Sequence, residues 1–151
     1  MTREEAFNTL RRLRDEMDAG RFALARALTS WNNDPQFLSA AIFGGITDTE
    51  LRRCAKNFEV TYVLRLFAEF EAILRHYWAS GLHKKSRPDM HPLMDSIAKR
   101  RGMNVDDLSG ADDVRKYRND IIHESLRNAR LSFSECLSAL GRYLRWLPLM
   151  W

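Results

Sequence analysis

The sequence predicts an all-α protein, an up-and-down bundle of about four longer helices plus one or two short helices, folded as a single domain over residues 1–151. Three observations carry this. Apolar residues recur at three- and four-residue steps through most of the chain. No strand-like alternation of apolar and polar residues persists for more than about four positions. Two Ser/Thr-x-x-Glu capping boxes, Thr47-Asp48-Thr49-Glu50 and Ser132-Phe133-Ser134-Glu135, mark helix starts.

The elements follow in order. From Arg3 to about Leu28, Ala6, Leu10, Leu13, Met17, Leu24 and Leu28 form one apolar stripe, with Gly20 a candidate bend. The cluster Thr29-Ser30-Trp31-Asn32-Asn33-Asp34-Pro35 reads as a breaker. A short irregular or helical piece runs to Phe43, and Gly44-Gly45 stop it. The first capping box opens the longest helix, about Thr49 to Ser80, with Gly81 as its expected stop. Its stripe of Leu51, Cys54, Phe58, Tyr62, Leu66, Phe70, Ile73 and Tyr77 is thickened by Val63, Leu64, Phe67, Leu74 and Trp78. A stripe that wide suits a helix in the middle of a bundle, or one that shares a second face with another subunit. Residues 82–91 read as an exposed basic loop. A short helix from about Pro92 to Arg101 ends at Gly102, and 106–110 read as a connector. A helix from about Asp112 through Ile122 and a final one from the second box to about Leu147 complete the chain, with Pro148 ending it.

Composition narrows the function classes. Hydrophobic residues make up 45% and charged residues 29%, as in an ordinary globular protein and unlike a disordered one. A net charge of +4 permits a polyanionic partner without requiring one. No uninterrupted apolar run approaches the roughly 18 residues of a membrane span, and no signal peptide opens the sequence, so a cytoplasmic protein with no membrane partner is expected. Cys54 and Cys136 both fall in amphipathic helical contexts and read as two buried free thiols.

The residues with most chemistry lie together in Tyr117-Arg118-Asn119-Asp120-Ile121-Ile122-His123-Glu124. An imidazole moves protons near neutral pH, and a guanidinium holds a phosphate with a planar fork of donors. At about 100° per residue, Val114, Tyr117 and Ile121 share the core-facing side of the helix. Asn119 and His123 fall nearly opposite, and Arg118 lies on the flank between. The structural alternative is a solvated face in which Arg118 pairs with Asp113, Asp120 or Glu124 and His123 caps the helix.

The Arg-x4-His pattern with Asn directly after the Arg, preceded by a long aromatic-rich helix and followed by one capped helix, resembles the HEPN superfamily. Phe67-Ala68-Glu69-Phe70-Glu71-Ala72-Ile73-Leu74-Arg75 looks like that family's long second core helix, and the resemblance covers about Leu51 to Leu147. It implies a metal-independent endoribonuclease acting as a homodimer, with the two motifs forming one composite cleft, and a role as a toxin or phage-defence effector. By that resemblance His123 would deprotonate the ribose 2′-OH or protonate the 5′-oxygen leaving group. Arg118 would hold the scissile phosphate, and Asn119 would orient the phosphate or the imidazole. RNA is then the substrate, a second copy the partner and a protein antitoxin a possible third party; no cofactor is implied. The family's Tyr shortly after the His is missing, since Glu124-Ser125 follow His123, which leaves neutralisation by a nucleotidyltransferase without support. Other members are non-catalytic modules for nucleotide binding or protein assembly, which is the alternative reading.

Other candidates are weaker. His76, His83 and His91 together with His123 fit no metal-ligand spacing, so no metal is expected. Lys84-Lys85-Ser86-Arg87 reads as a solvated turn, with contact to an RNA backbone as the functional alternative. Glu59, Glu69 and Glu71 are expected in interhelical salt bridges, one of them a possible partner of Arg118. Trp31, Trp78, Trp146 and Trp151 read as core or interface anchors.

Overall fold

The computed structural model describes residues 1–123 and 130–151. Six α-helices follow one another: α1 (Arg3–Asn33), α2 (Pro35–Phe43), α3 (Asp48–His76), α4 (Met90–Arg101), α5 (Val105–Ile122) and α6 (Phe133–Leu144). A π turn, Tyr77–Gly81, prolongs α3. Among the described residues the only strand-like pairing is an isolated antiparallel bridge between Thr2 and Met150. The all-α bundle expected from the periodicity is the observed fold.

Contacts between helices fix their directions. Glu16 meets Arg65 and Arg21 meets Glu59, so α1 and α3 run antiparallel. Tyr62 packs on Phe133 and Phe70 on Tyr143, so α6 runs parallel to α3. Asp107, near the start of α5, pairs with Arg142, near the end of α6, so these two are antiparallel. The core gathers Leu10, Leu13 and Met17 from α1, Leu66, Phe70 and Leu74 from α3, Leu93, Met94 and Ile97 from α4, Val114 and Tyr117 from α5, and Phe133, Leu140 and Tyr143 from α6. Each large apolar side chain buried there contributes about 1.5–3 kcal/mol through its transfer from water. Tyr143 is fully buried and donates its hydroxyl proton to the Met94 carbonyl at 2.8 Å, so its polar end is satisfied.

Local chemistry sets the helix ends. Thr47 and Ser132 form the two capping boxes read from the sequence, and Thr2 with Glu5 forms a third at the start of α1. Gly102 stops α4 in the left-handed conformation at φ 63°. α1 runs unbroken through Gly20, whose missing side chain lets the Phe58 ring of α3 come so close that a Cβ would lie 2.3 Å from the ring. Three expectations are corrected. Residues 29–33 continue α1, and the break falls only at Asp34, whose carboxylate accepts from the Gln36 and Phe37 amides and starts α2. The stretch 106–110 is helix, because Asn104 caps α5 and Asp106 and Asp107 suit its positive N-terminal end. Gly81 does not stop a helix through positive φ; it sits against Tyr77 and Trp151, and the left-handed residue is His83 at φ 52°.

Burial is uneven. Every helix except α2 has several buried residues, but between Asp18 and Tyr62 only Ala41 is buried. The second half of α1, all of α2 and the first half of α3 therefore form an arm that leaves the core. Its end exposes Ile42, Phe43 and Ile46, with Phe43 96% exposed. Only the second half of α3 takes the central position that its wide stripe implied. There it packs against α1, α4, α5 and α6.

Candidate functional site

Helix α5 positions the motif. Its start is tied to α6: the Trp146 indole donates to Asp107 at 2.8 Å, and Arg142 lies 3.2 Å from the same carboxylate. Gly110 lets α6 approach, since a Cβ there would meet Arg142 at 3.2 Å and Ala139 at 3.6 Å. Ala111, Val114 and Tyr117 then turn into the core. Burial pushes the Tyr117 phenol above its ordinary pKa, while the charge of Arg130 opposes this.

With that face fixed, the polar residues fall where helical phasing places them. Arg118 is half-buried on the flank. Its guanidinium lies 5.9 Å from the centroid of the buried Phe67 ring on α3, a cation–π contact, and it donates to Asn119 Oδ1 at 3.0 Å. Asn119 is half-buried. Its carbonyl accepts the His123 amide at 2.9 Å. His123 is exposed at the C-cap of α5, φ −91° and ψ 7°, and its ring has no hydrogen bond or ion pair among the described residues. Asn119 thus touches Arg118 through its side chain and His123 through its main chain, holding the three at one end of α5. Ile122, beside them, is 47% exposed.

The expected ion pairs of Arg118 do not form among the described residues. Asp113 takes Lys116 at 3.4 Å, Glu71 takes Arg75 at 2.6 Å, and Glu59 lies 3.6 Å from Arg21 and accepts the Phe133 amide at 2.8 Å. Asp120 is buried and is not without a partner. Glu124 and Ser125, on which the pairing and antitoxin readings touched, lie outside the described residues.

The sequence reading missed a second cluster on the outward side of the same helix. Asp112 accepts from Arg115 Nε at 2.6 Å, lies 3.0 Å from Lys116 Nζ, and has His91 Nδ1 of α4 at 3.2 Å. The other His91 nitrogen is 3.6 Å from Asp95. Burial works to raise the Asp112 pKa, but hydrogen bonds from Arg115 and Lys116 and their charges outweigh it and hold the carboxyl below its ordinary range. Its three- and four-residue spacings to Arg115 and Lys116 were visible as helix pairs. The link to His91 required the tertiary fold.

The remaining candidates are plainly placed. Cys136 is buried, and its thiol is pushed up to about 12 by desolvation and then by the Glu135 charge; Cys54 is exposed rather than buried as expected, and both are free. No group of three or more His, Cys, Asp or Glu side chains suited to a metal ion occurs among the described residues. No described helix is long and apolar enough to cross a membrane. All four tryptophans are half-buried. No family model, curated protein or solved structure matches the chain.

Proposed function

We propose that this protein is a metal-independent endoribonuclease of the HEPN type, active as a homodimer and serving as a toxin or phage-defence effector. The observation that carries the reading is that Arg118, Asn119 and His123 occupy one end of α5, Arg118 on the flank and Asn119 and His123 on the side its core face leaves open, with His123 exposed and its ring without a partner among the described residues. An imidazole with a free ring can take or give a proton, and a guanidinium one turn away can hold a phosphate.

In this reading the scissile phosphate lies against Arg118. One His123 removes the proton from the ribose 2′-OH, and the 2′-oxygen attacks phosphorus. The P–O5′ bond then breaks with proton transfer to O5′, leaving a 2′,3′-cyclic phosphate and a 5′-hydroxyl. One exposed imidazole cannot readily be base and acid for oxygens on opposite sides of phosphorus. A second copy across the open face of α5 would supply the other, and the exposed Ile122 offers it an apolar contact. The motif is therefore as much a prediction of dimerisation as of cleavage.

The test is paired. Wild-type protein should form a dimer in solution, cleave single-stranded RNA in the presence of EDTA and arrest growth when expressed. His123→Ala should keep the dimer and lose cleavage by at least about a hundredfold, the usual worth of a general acid–base group. Intact RNA after prolonged incubation with a wild-type dimer would overturn the reading. The non-catalytic module has one observation in its favour: Arg118 is already engaged by Asn119 and Phe67 of its own chain. It predicts that His123→Ala leaves the growth phenotype unchanged.

A further inference from the structure

A second feature lies about 15 Å along α3 from the Phe67 ring that carries Arg118, counting ten residues to Tyr77 at about 1.5 Å each. Here α3 widens into the π turn Tyr77–Gly81, a rare deviation that recurs at functional positions. The chain then reverses through His83 in the left-handed region, φ 52°, an unusual conformation for a residue with a side chain. The following loop is pinned back onto the helix. The Trp78 indole donates to the Ser86 carbonyl at 3.0 Å, and Arg75 donates to the Pro88 carbonyl at 3.2 Å while Glu71 holds its guanidinium. Between loop and helix lies a cleft of about 580 Å³ lined by Trp78, Arg75, His83, Lys84, Lys85 and Arg87.

Three of the cations in this cleft lack a paired acid among the described residues. Lys84, Lys85 and Arg87 are exposed, and none has an ion pair or a side-chain hydrogen bond among the described residues. Elsewhere on this surface some arginines and lysines find acids, Arg52 with Asp48, Arg65 with Glu16 and Lys116 with Asp112. Three free cations around one tryptophan suit a ligand with several phosphates and a flat, stackable ring. The volume falls within the usual range for a binding site. The cleft is also open, so a chain can enter and leave it.

We infer that the Trp78 cleft is a binding subsite for single-stranded RNA, gripping nucleotides away from the bond that is cut. Lys84, Lys85 and Arg87 take the phosphates, and the Trp78 ring offers a stacking face for a base. Phe67, Glu71, Arg75 and Trp78 follow one another at helical spacing along α3, so the ring beneath Arg118 and the cleft lie on the same side of that helix. The subsite rests on the reading of Arg118 and His123 as an RNA-cleaving pair for its place along the strand, but binding and cleavage are measured separately. An anionic membrane is a poorer fit, because none of the most exposed apolar residues among those described, Phe43, Val105, Phe22 and Met150, belongs to this loop.

The experiment uses the full-length chain and a fluorescent 12-nucleotide RNA, with affinity followed as salt is raised. His123→Ala keeps the RNA intact during the titration, and Lys84→Gln/Lys85→Gln is compared in that background. Both lysine side chains are exposed and have no partner among the described residues, so folding is not at risk, and circular dichroism checks this. Affinity should fall about tenfold, and the slope of log K against log salt should shrink by about 1.4, the loss of two phosphate contacts on a single strand. A merely structural role would not change the slope. With His123 restored, the double variant should cleave a dinucleotide, too short to reach the cleft, as fast as wild type. Unchanged affinity and slope would overturn the subsite and leave the cleavage reading standing. Lysine-dependent binding without any cleavage by wild type would support the subsite and sink the cleavage reading. Equal lysine-dependent affinity for ATP alone, or for phosphatidylserine vesicles, would overturn RNA as its ligand.

Discussion

Asp112 gathers Arg115, Lys116 and His91 around one carboxylate whose side chain is only 14% exposed. Its pKa is held below the ordinary 3.8, so its contribution to folding is fully present above that value and disappears as pH falls through the lowered one. Asp112→Asn should therefore cost about 1 kcal/mol near neutral pH, a value discounted for partial exposure, and should flatten the loss of stability below about pH 4. Urea titrations at pH 7 and pH 3 check both parts. At this scale the sequence disclosed the motif residues better than their surroundings. Arg118, Asn119 and His123 lie where helical phasing puts them, because Val114 and Tyr117 fix the inward face without ambiguity. The Phe67 ring under Arg118 and the His91–Asp112 contact join residues far apart in the chain, and no local pattern encodes which turn of one helix meets which turn of another.

Gly81 shows how an element's end is built from packing rather than backbone geometry. A Cβ there would fall 2.6 Å from the Tyr77 ring and 2.8 Å from Trp151 Cβ, and Tyr77 is buried. Gly81→Ala should destabilise the fold by about 1–3 kcal/mol through overpacking, despite the better helix propensity of alanine; chemical denaturation gives the value. From sequence alone this glycine reads as a stop, since a stop and a close contact leave the same single letter. Capping boxes are more legible because their spacing is their mechanism: Thr47 with Glu50 and Ser132 with Glu135 stand out, and Thr2 with Glu5 has the same spacing. The start of α5 was hidden for the opposite reason. Asp106, Asp107, Ser109 and Gly110 are ordinary loop residues, and only the Asn104 cap and the α6 contacts at Asp107 and Gly110 make them helix.

The whole molecule divides into a packed end, which carries both the α5 motif and the Trp78 cleft, and an arm with one buried residue between Asp18 and Tyr62. That asymmetry was only partly legible: the apolar stripe of α3 thins from eight residues along Val63 to Tyr77 to four along Leu51 to Tyr62, but how far each half is buried depends on which helices reach it. Its consequence lies in time rather than shape. A segment with so few buried contacts opens at a smaller free energy than the core, so the arm should breathe while the bundle stays closed. In hydrogen exchange, the amides of residues 24–29 and 52–58 should exchange on the order of a hundredfold faster than those of residues 66–74. Equal protection in the two sets would mean that the chain opens as one unit. On a slower clock the same property exposes the Gly44-Gly45 turn to proteases first, and the earliest cut in limited digestion should fall there while α5 and α6 remain whole.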